Sequence, residues 1–316
     1  MLSPIKIGIS SCLLGNLVRY DGGHSHDRFL SQTLGMFTAY VPVCPEVECG
    51  MPIPRNSLRL EGDPENPRLV TRKTREDHTQ QMQTWIEKKL PELEKENLCG
   101  FIFKSKSPSS GLYRIKVYSD DNKVRNNGVG LFARAFTQRF PRIPVEEAGR
   151  LNDPKLREHF IENIFTLQRW RGFLESHPTP GKLVTFHTAN KLLILSHSQD
   201  IYRQMGKLVA QGKQLAFNDL LDTYEGLLLK ALDLKTTIKK NINVLQHAMG
   251  FFKNDLAGPE KQELLTSFDQ YRDGYVPLIV PLTLIKHYVM KYDQPWLKTQ
   301  TYLTPHPFEL KLRNYF

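Results

Sequence analysis

Three segments of this chain each read as a buried strand that runs straight into a turn rich in reactive side chains. Ile5 to Ser10 runs into Cys12. Tyr40-Val-Pro-Val43 runs into Cys44-Pro-Glu46-Val-Glu48-Cys49. Phe101-Ile-Phe103 runs into Lys104-Ser-Lys106-Ser-Pro-Ser109-Ser110-Gly111. In an open α/β sheet the carboxyl ends of parallel strands meet along one edge, and ligands bind there. Such a sheet makes neighbours of Cys12, Cys44, Cys49 and the serine turn, although they lie far apart in sequence. Thiols gathered in this way, in a chain with no sign of secretion, point to a metal or iron–sulfur site rather than a disulfide framework.

The pattern along the first half supports a sheet of that kind. Strands are expected over 5–10, 37–44 and 100–105, with short ones near Val117-Tyr118, before Asp120-Asp121-Asn122, and at Ile143 to Glu146. Helices are expected over 26–34, from Arg75 to Glu96 and from Gly128 to Phe140, where apolar residues recur at helical spacing. The prolines and glycine between Pro52 and Pro67 mark a long irregular segment. Strands alternating with helices argue for an open, mostly parallel sheet with helices on both faces, an α/β class.

From about Asn152 the texture changes. Asn152-Asp-Pro154 is a helix start, and amphipathic stretches follow over Lys155–Leu174, Leu183–His197, Asp200–Gln211, Gln214–Met249, Gly258–Tyr271 and Pro281–Lys291. This half is expected to be all-helical. Two domains are therefore expected, over 1–165 and 166–316.

Cys12 opens a loop with Gly15, Gly22 and Gly23, where backbone N–H groups can approach an anion or sulfide; the alternative is a small buried hydrophobe. Cys44 precedes a proline, which makes a rigid exit from the strand, and Glu46, two residues on, can face the same pocket as a general acid or base. Cys99 sits at the opening of the third strand, a strand's length from Ser110, and reads as structural. The serine turn is flanked by Lys104, Lys106, Arg114 and Lys116, a setting for a phosphate or a polar base edge. His187, His197, His247 and His287 are scattered and define no metal site.

The chain has 316 residues and a net charge of +10, from 43 basic and 33 acidic residues. Residues 101–150 are the densest part, with 10 basic against 4 acidic. A basic surface suits a polyanion, most often nucleic acid; the alternative is a solubilising charge. No apolar run approaches the ~20 residues of a membrane span, and no signal-peptide pattern opens the chain, so a cytoplasmic location is expected.

The strings Cys12-Leu-Leu-Gly-Asn-Leu-Val-Arg19-Tyr-Asp-Gly-Gly-His24, Cys44-Pro-Glu-Val-Glu48 and Lys104-Ser-Lys-Ser-Pro-Ser-Ser-Gly111 resemble the thiouracil desulfidase (TudS-like) family. Phe186 to Lys191, Asn243 to Lys253, Tyr271 to Thr283 and Tyr302 to Pro307 resemble the helical domain often fused to it. The two-domain form is similar to the RudS type, which removes sulfur from 4-thiouridine in transfer RNA. The resemblance implies a [4Fe–4S] cluster on three cysteines with one iron open to the substrate sulfur, Glu46 as the catalytic carboxylate and Ser109 as an active-site serine, with Ser110 beside it. Cys12 and Cys44 match two ligand positions. The third family cysteine falls where this chain has Ser110, and Cys49 is the expected substitute, giving the ligand set Cys12, Cys44 and Cys49. The implied reaction is hydrolytic, without net electron transfer. Arg19, Lys104, Lys106, Arg114 and Lys116 are the expected contacts to transfer RNA. The alternatives are a desulfidase of free thiouracil or 4-thiouridine nucleotides, and a non-catalytic RNA-binding protein with a structural cluster or zinc.

Overall fold

The computed structural model describes residues 4–119 and 123–315, so the expected turn at Asp120-Asp121-Asn122 lies outside the described residues. In chain order the N-terminal elements are β1 (Ile5–Ser10), β2 (Thr38–Val43), the single-turn α1 (Pro45–Glu48), β3 (Leu58–Asp63), β4 (Asn66–Thr71), α2 (Thr79–Lys95), β5 (Gly100–Phe103), β6 (Ile115–Tyr118), β7 (Val124–Gly128), α3 (Leu131–Arg139) and β8 (Val145–Glu147). The expected helix over 26–34 is a π turn at Phe29–Thr33 that tightens into a 3₁₀ turn at Leu34–Met36.

The strands form two sheets. The first is wholly parallel, in the order β2-β1-β5-β8. Its strand order reverses at β1, because β2 lies on one side and β5 on the other. That is the switch point at which α/β sheets hold ligands. Both faces are buried: Ile7, Ile9 and Ile102 lie at 0% exposure on one face, as do Phe101 and Phe103 on the other. Gly8 belongs to the phenylalanine face. A β-carbon there would lie 2.2 Å from the Phe101 ring, so only glycine lets the two strands carry that ring between them. Phe101 and Phe103 stack at 4.3 Å, and the rings of Phe132 and Phe136 from α3 meet them edge-on or tilted.

The second sheet corrects the sequence reading. The segment expected to be irregular between Pro52 and Pro67 contains most of a β-hairpin, β3 against β4, and the sheet runs β4-β3-β6-β7 with antiparallel pairs at both ends. Pro67 is tolerated because β4 is an edge strand, where a missing N–H leaves no ladder bond broken.

The C-terminal half is helical throughout its described residues. Helix α4 (Pro154–Glu175) opens on Asp153, whose side chain accepts from the backbone of Lys155 and Leu156. Then follow α5 (Pro180–His197), α6 (Gln199–Ala210), α7 (Phe217–Leu232), α8 (Ile238–Met249), α9 (Gly258–Arg272), α10 (Ile279–Lys291) and the short α11 (Pro295–Lys298). The stretch Gln214–Met249, expected as one helix, is two. Thr237 takes an extended backbone and caps α8 by accepting from Lys240 N–H, and its position after Asp233 is the stop-and-start signal the periodicity hid. The chain divides into two compact units, residues 1–160 and 161–316, and the division falls within the continuous α4. Among the described residues no helix is long and apolar enough to cross a membrane.

Polar groups are sealed inside the helical unit. Glu162 accepts from His197 at 2.8 Å and from Arg313 at 2.9 Å, and His197 Nδ1 lies 2.6 Å from the Leu234 carbonyl. Burial works to raise the Glu162 carboxyl, but the His197 hydrogen bond and the Arg313 charge hold it well below the usual range. His187 is 2% exposed with Tyr224 Oη 3.3 Å from Nδ1, and burial pushes its imidazole down to about 4. The unfolded chain, with an ordinary histidine near 6.5, binds the proton first as pH falls, so this residue's contribution is complete above that value and drains away toward pH 4. From pH 7 to pH 5 the helical unit should lose about 2 kcal/mol on this account. Urea unfolding at the two pH values checks this: His187→Leu should have a visibly flatter pH response than the native chain.

Candidate functional site

The carboxyl ends of β1, β2 and β5 open onto a cavity of about 410 Å³. Its walls include Cys12, Cys44, Glu46, Ser109 and Ser110, so the parallel sheet has brought three distant segments together. Cys12 lies in a 3₁₀ turn, Ser11–Leu14, that ends at Gly15 with φ +95. A side chain is disfavoured there, and the glycine lets the loop fold back so that Ser25 N–H reaches the Cys12 carbonyl at 2.9 Å. Cys44 is the residue before α1, whose first position is Pro45. Its N–H donates to Glu48 Oε1 at 2.7 Å, and its sulfur lies 3.8 Å from the Val18 carbonyl.

Glu46 projects from α1 toward the serine turn. Ser109 Oγ donates to Glu46 Oε1 at 2.7 Å, and Ser107 Oγ lies 3.4 Å from the same oxygen. Glu46 Oε2 pairs with Arg55, which is almost wholly buried. The serine turn is itself held by α3. Phe132 N–H donates to the Ser109 carbonyl at 2.9 Å and Gly130 N–H to the Gly111 carbonyl at 2.8 Å, which meets donors that a helix start otherwise leaves unpaired. The Glu147 carboxylate, at the end of β8, accepts from Leu112 N–H at 2.7 Å and Tyr113 N–H at 3.1 Å and anchors the far side of the turn.

Burial raises all three thiols near α1. Cys44 is pushed up to about 11, and the rise at Cys12 is opposed by the charges of Lys104 and Arg19. Burial in turn lowers the Lys104 ammonium. A soft metal that replaces these protons gains two sulfur donors already facing one space.

The expected site residues divide clearly. Cys12, Cys44, Glu46, Ser109, Ser110, Arg19, Lys104 and Lys106 all line the cavity. Cys49 does not line it. It follows α1, its thiol donates to the Glu46 carbonyl at 3.2 Å, and it packs against the apolar cluster that contains Val43 and Met51. Five residues at about 100° each set Cys49 roughly 140° round α1 from Cys44, which loop spacing alone did not disclose. Arg114 and Lys116 are exposed at and beside β6 and stand off the cavity. Alternation puts Lys116 opposite its buried neighbours Ile115 and Val117. Cys99 is buried ahead of β5, as expected.

Three cavity residues escaped the sequence reading: Ser57, Leu58 and Arg72. They come from and beside the hairpin whose first strand was read as irregular, and the alternation in Leu58-Arg-Leu60 with the apolar pair Leu69-Val70 was the available signal. Arg72 and Lys106 line the cavity with no salt-bridge partner among the described residues. Lys106 holds φ at +62, a left-handed conformation costly for a side chain and common at functional sites. Among the described residues no cluster of three His, Cys, Asp or Glu side chains is set to hold a metal ion. The cavity's own donor set is two thiols with serine hydroxyls beside them.

Two sulfurs, a serine-held carboxylate and loose cations at the switch point of a parallel sheet define a ligand-binding α/β domain with soft-metal donors. The comparisons place it. Residues 7–148 match the family "2-thiouracil desulfurase", and residues 191–307 match "Protein of unknown function (DUF1722)". The "Uncharacterized protein YbgA" of Escherichia coli (strain K12) is 32% identical over 165 residues, which cover 52% of this chain and 98% of that protein. A solved "[4Fe-4S]-dependent thiouracil desulfidase TudS" is 28% identical and covers 47% of this chain and 94% of its own, with a TM-score of 0.40. The chain thus joins a match to the 2-thiouracil desulfurase family to a match to DUF1722, and it belongs to one family with YbgA.

Gly130 is the site's mechanical pin. A β-carbon there would lie 2.6 Å from the Ser109 carbonyl carbon and oxygen and 2.7 Å from Ser110 N. Gly130→Ala should push the serine turn away from Glu46 and cost the N-terminal unit about 1–3 kcal/mol of stability. Denaturant unfolding monitored on Trp85, which packs on Phe132 at 5.3 Å, measures it; an unchanged midpoint would remove the pinning role.

Proposed function

We propose that the protein is an iron–sulfur desulfidase that hydrolyses a thiolated uracil carried on a nucleic acid, with 4-thiouridine in transfer RNA as substrate. The observation that carries this reading is the Ser109–Glu46 pair on the wall of the cavity that also receives Cys12 and Cys44. The donor set fits a [4Fe–4S] cluster in chemistry: soft sulfur donors suit iron–sulfur binding. Cys12 and Cys44 would hold it, with Ser110 on the same cavity wall as the third protein donor, whereas Cys49 stands off that wall. When bound, the cluster supplies a thiophilic iron that polarises the carbon–sulfur bond.

The remaining chemistry belongs to the chain's own groups. Glu46 is the base that takes a proton from water as the water attacks the carbon bearing sulfur. Ser109 donates to Glu46 Oε1, which leaves its oxygen lone pairs free to accept from the pyrimidine ring N–H. The carbon–sulfur bond breaks, a carbon–oxygen bond forms, sulfide leaves with the water's protons, and no electron is gained or lost overall. Arg72 and Lys106, without acidic partners among the described residues, suit the phosphates that flank the base, with Arg19 and Lys104 in the same cavity. Exposed Lys235, Lys239 and Lys253 in and beside α8 extend the basic surface of the helical domain toward a polyanion.

Anaerobic reconstitution followed by incubation with thiolated transfer RNA tests the reading by nucleoside analysis. The expected result is conversion of 4-thiouridine to uridine, a rate that falls steeply with added salt, and faster turnover than on 4-thiouridine monophosphate. Equal or faster turnover of the free nucleotide would transfer the assignment to a nucleotide desulfidase. Tight RNA binding with the thiouridine absorbance unchanged would remove catalysis. Cys12→Ala and Cys44→Ala should each lose the iron, and iron content in Cys49→Ala and Ser110→Ala identifies the third ligand. Glu46→Gln should retain iron and lose turnover by about 10²–10⁴-fold.

A further inference from the structure

Arg55 is a buried cation between α1 and β3, its side chain only 5% exposed. It does not line the cavity that holds the thiols. Its backbone N–H donates to the Tyr20 carbonyl at 2.8 Å. Its Nη2 donates to the Val18 carbonyl at 3.1 Å and pairs with Glu46 Oε2. Its Nη1 reaches the Pro52 carbonyl at 3.4 Å, and its Nε has no hydrogen-bond partner among the described residues. On its other side lies a second cavity of about 490 Å³, lined by Arg55 with Met51, Asn56, Glu76 and His78 among others. Arg55 therefore lines the second hollow and reaches the wall of the first through Glu46, Val18 and Tyr20.

Burying a guanidinium is costly, and leaving one N–H unmet adds to the cost. The chain does not recover this by satisfying Arg55; it aims the cation's best-placed nitrogen at one oxygen of the carboxylate instead. Ser109 already occupies the other oxygen. With both ends fixed, Glu46 has no rotational freedom left, and it presents Oε1 to the cavity. Lysine could not reproduce this, because its single ammonium lacks the planar fork that reaches several acceptors at once.

Building on the desulfidase reading, we propose that Arg55 is the positioning residue for Glu46: it fixes Oε2 so that Oε1 stands ready as the proton acceptor beside Ser109. Arg55 also ties down the loop at Val18 and Tyr20, whose neighbour Arg19 lines the cavity, so the test must separate orientation of Glu46 from support of that loop.

The test uses the full-length, cluster-loaded protein with 4-thiouridine monophosphate and thiolated transfer RNA, comparing the native chain with Arg55→Ala and Arg55→Lys. The iron content and visible spectrum should be unchanged in both variants. For Arg55→Ala, kcat should fall about 10²-fold, the scale of a misplaced catalytic group, while KM stays within about twofold. Arg55→Lys should recover part of the loss, and it carries the test should the alanine variant not fold. Added guanidinium ion, at millimolar concentration, should enter the vacated space and restore Arg55→Ala with saturation, while doing nothing for Glu46→Gln. Unchanged kcat, a loss confined to KM, or loss of iron without guanidinium rescue would each overturn the proposal. A native protein that turns over neither substrate would overturn the desulfidase reading itself, a result distinct from any of these.

Discussion

The contact between Gly130 and the Ser109 carbonyl governs the site. A helix that begins without a side-chain cap leaves N–H groups to be met by something else. Here α3 meets them with the carbonyl oxygens of the serine turn, and it can do so only because residue 130 has no β-carbon to interpose. The turn is thereby frozen with Ser109 at hydrogen-bond distance from Glu46. The same helix drives Phe132 and Phe136 into the rings of Phe101 and Phe103 on β5, the strand from which the turn departs. Packing of the core and placement of the hydroxyl are thus one structural event: a change that loosens α3 loosens the site.

Electrostatics then set what the cavity can accept. Two buried thiols that resist ionisation and a desolvated lysine are each held away from their charged or stable state by burial. Bringing in a soft cation relieves the thiols, and bringing in an anion relieves Lys104. Lys106 and Arg72 lack acidic partners among the described residues and add to the same imbalance. The cavity wall therefore carries both soft donors and cations, side by side at Cys12 and Lys104. A thiolated nucleotide carries both a sulfur and a phosphate, which a free thiouracil base does not.

The parallel sheet was legible because β1, β2 and β5 are short apolar runs that end in turn residues, and Cys12, Cys44 and the serine turn could be put on one edge from topology alone. The helical half was legible from its 3.6-residue periodicity. The second sheet was not. Pro52, Pro54, Pro64 and Pro67 read as loop markers, yet Pro64 lies in the hairpin turn, Pro67 sits on an edge strand, and the hairpin between them delivers Leu58 and Arg72 to the cavity. Cys49 was misplaced for a related reason. Its distance from Cys44 in sequence suits a loop that turns back, but the intervening residues are helical, and five residues on is about 140° round the axis, which points the second sulfur elsewhere. Arg55 left no trace in the sequence, because an isolated arginine among prolines has no periodicity to betray burial.

The hairpin has a consequence for how such a site is built. A cluster-holding edge needs only the parallel sheet, since Cys12 and Cys44 both leave its strands. A hydrolytic carboxylate needs more, because a single-turn helix such as α1 buries almost nothing and cannot fix its own side chains. The segment that rises from α1 to β3 supplies what α1 lacks: Arg55 against Glu46, the Val18 carbonyl and the Tyr20 carbonyl. Further along the same segment, Ser57 and Leu58 enter the cavity wall, and Arg72 follows at the end of β4. The first sheet thus carries the thiol donors, and the segment leading into the second adds a held carboxylate and a further cation, Arg72, to the same cavity.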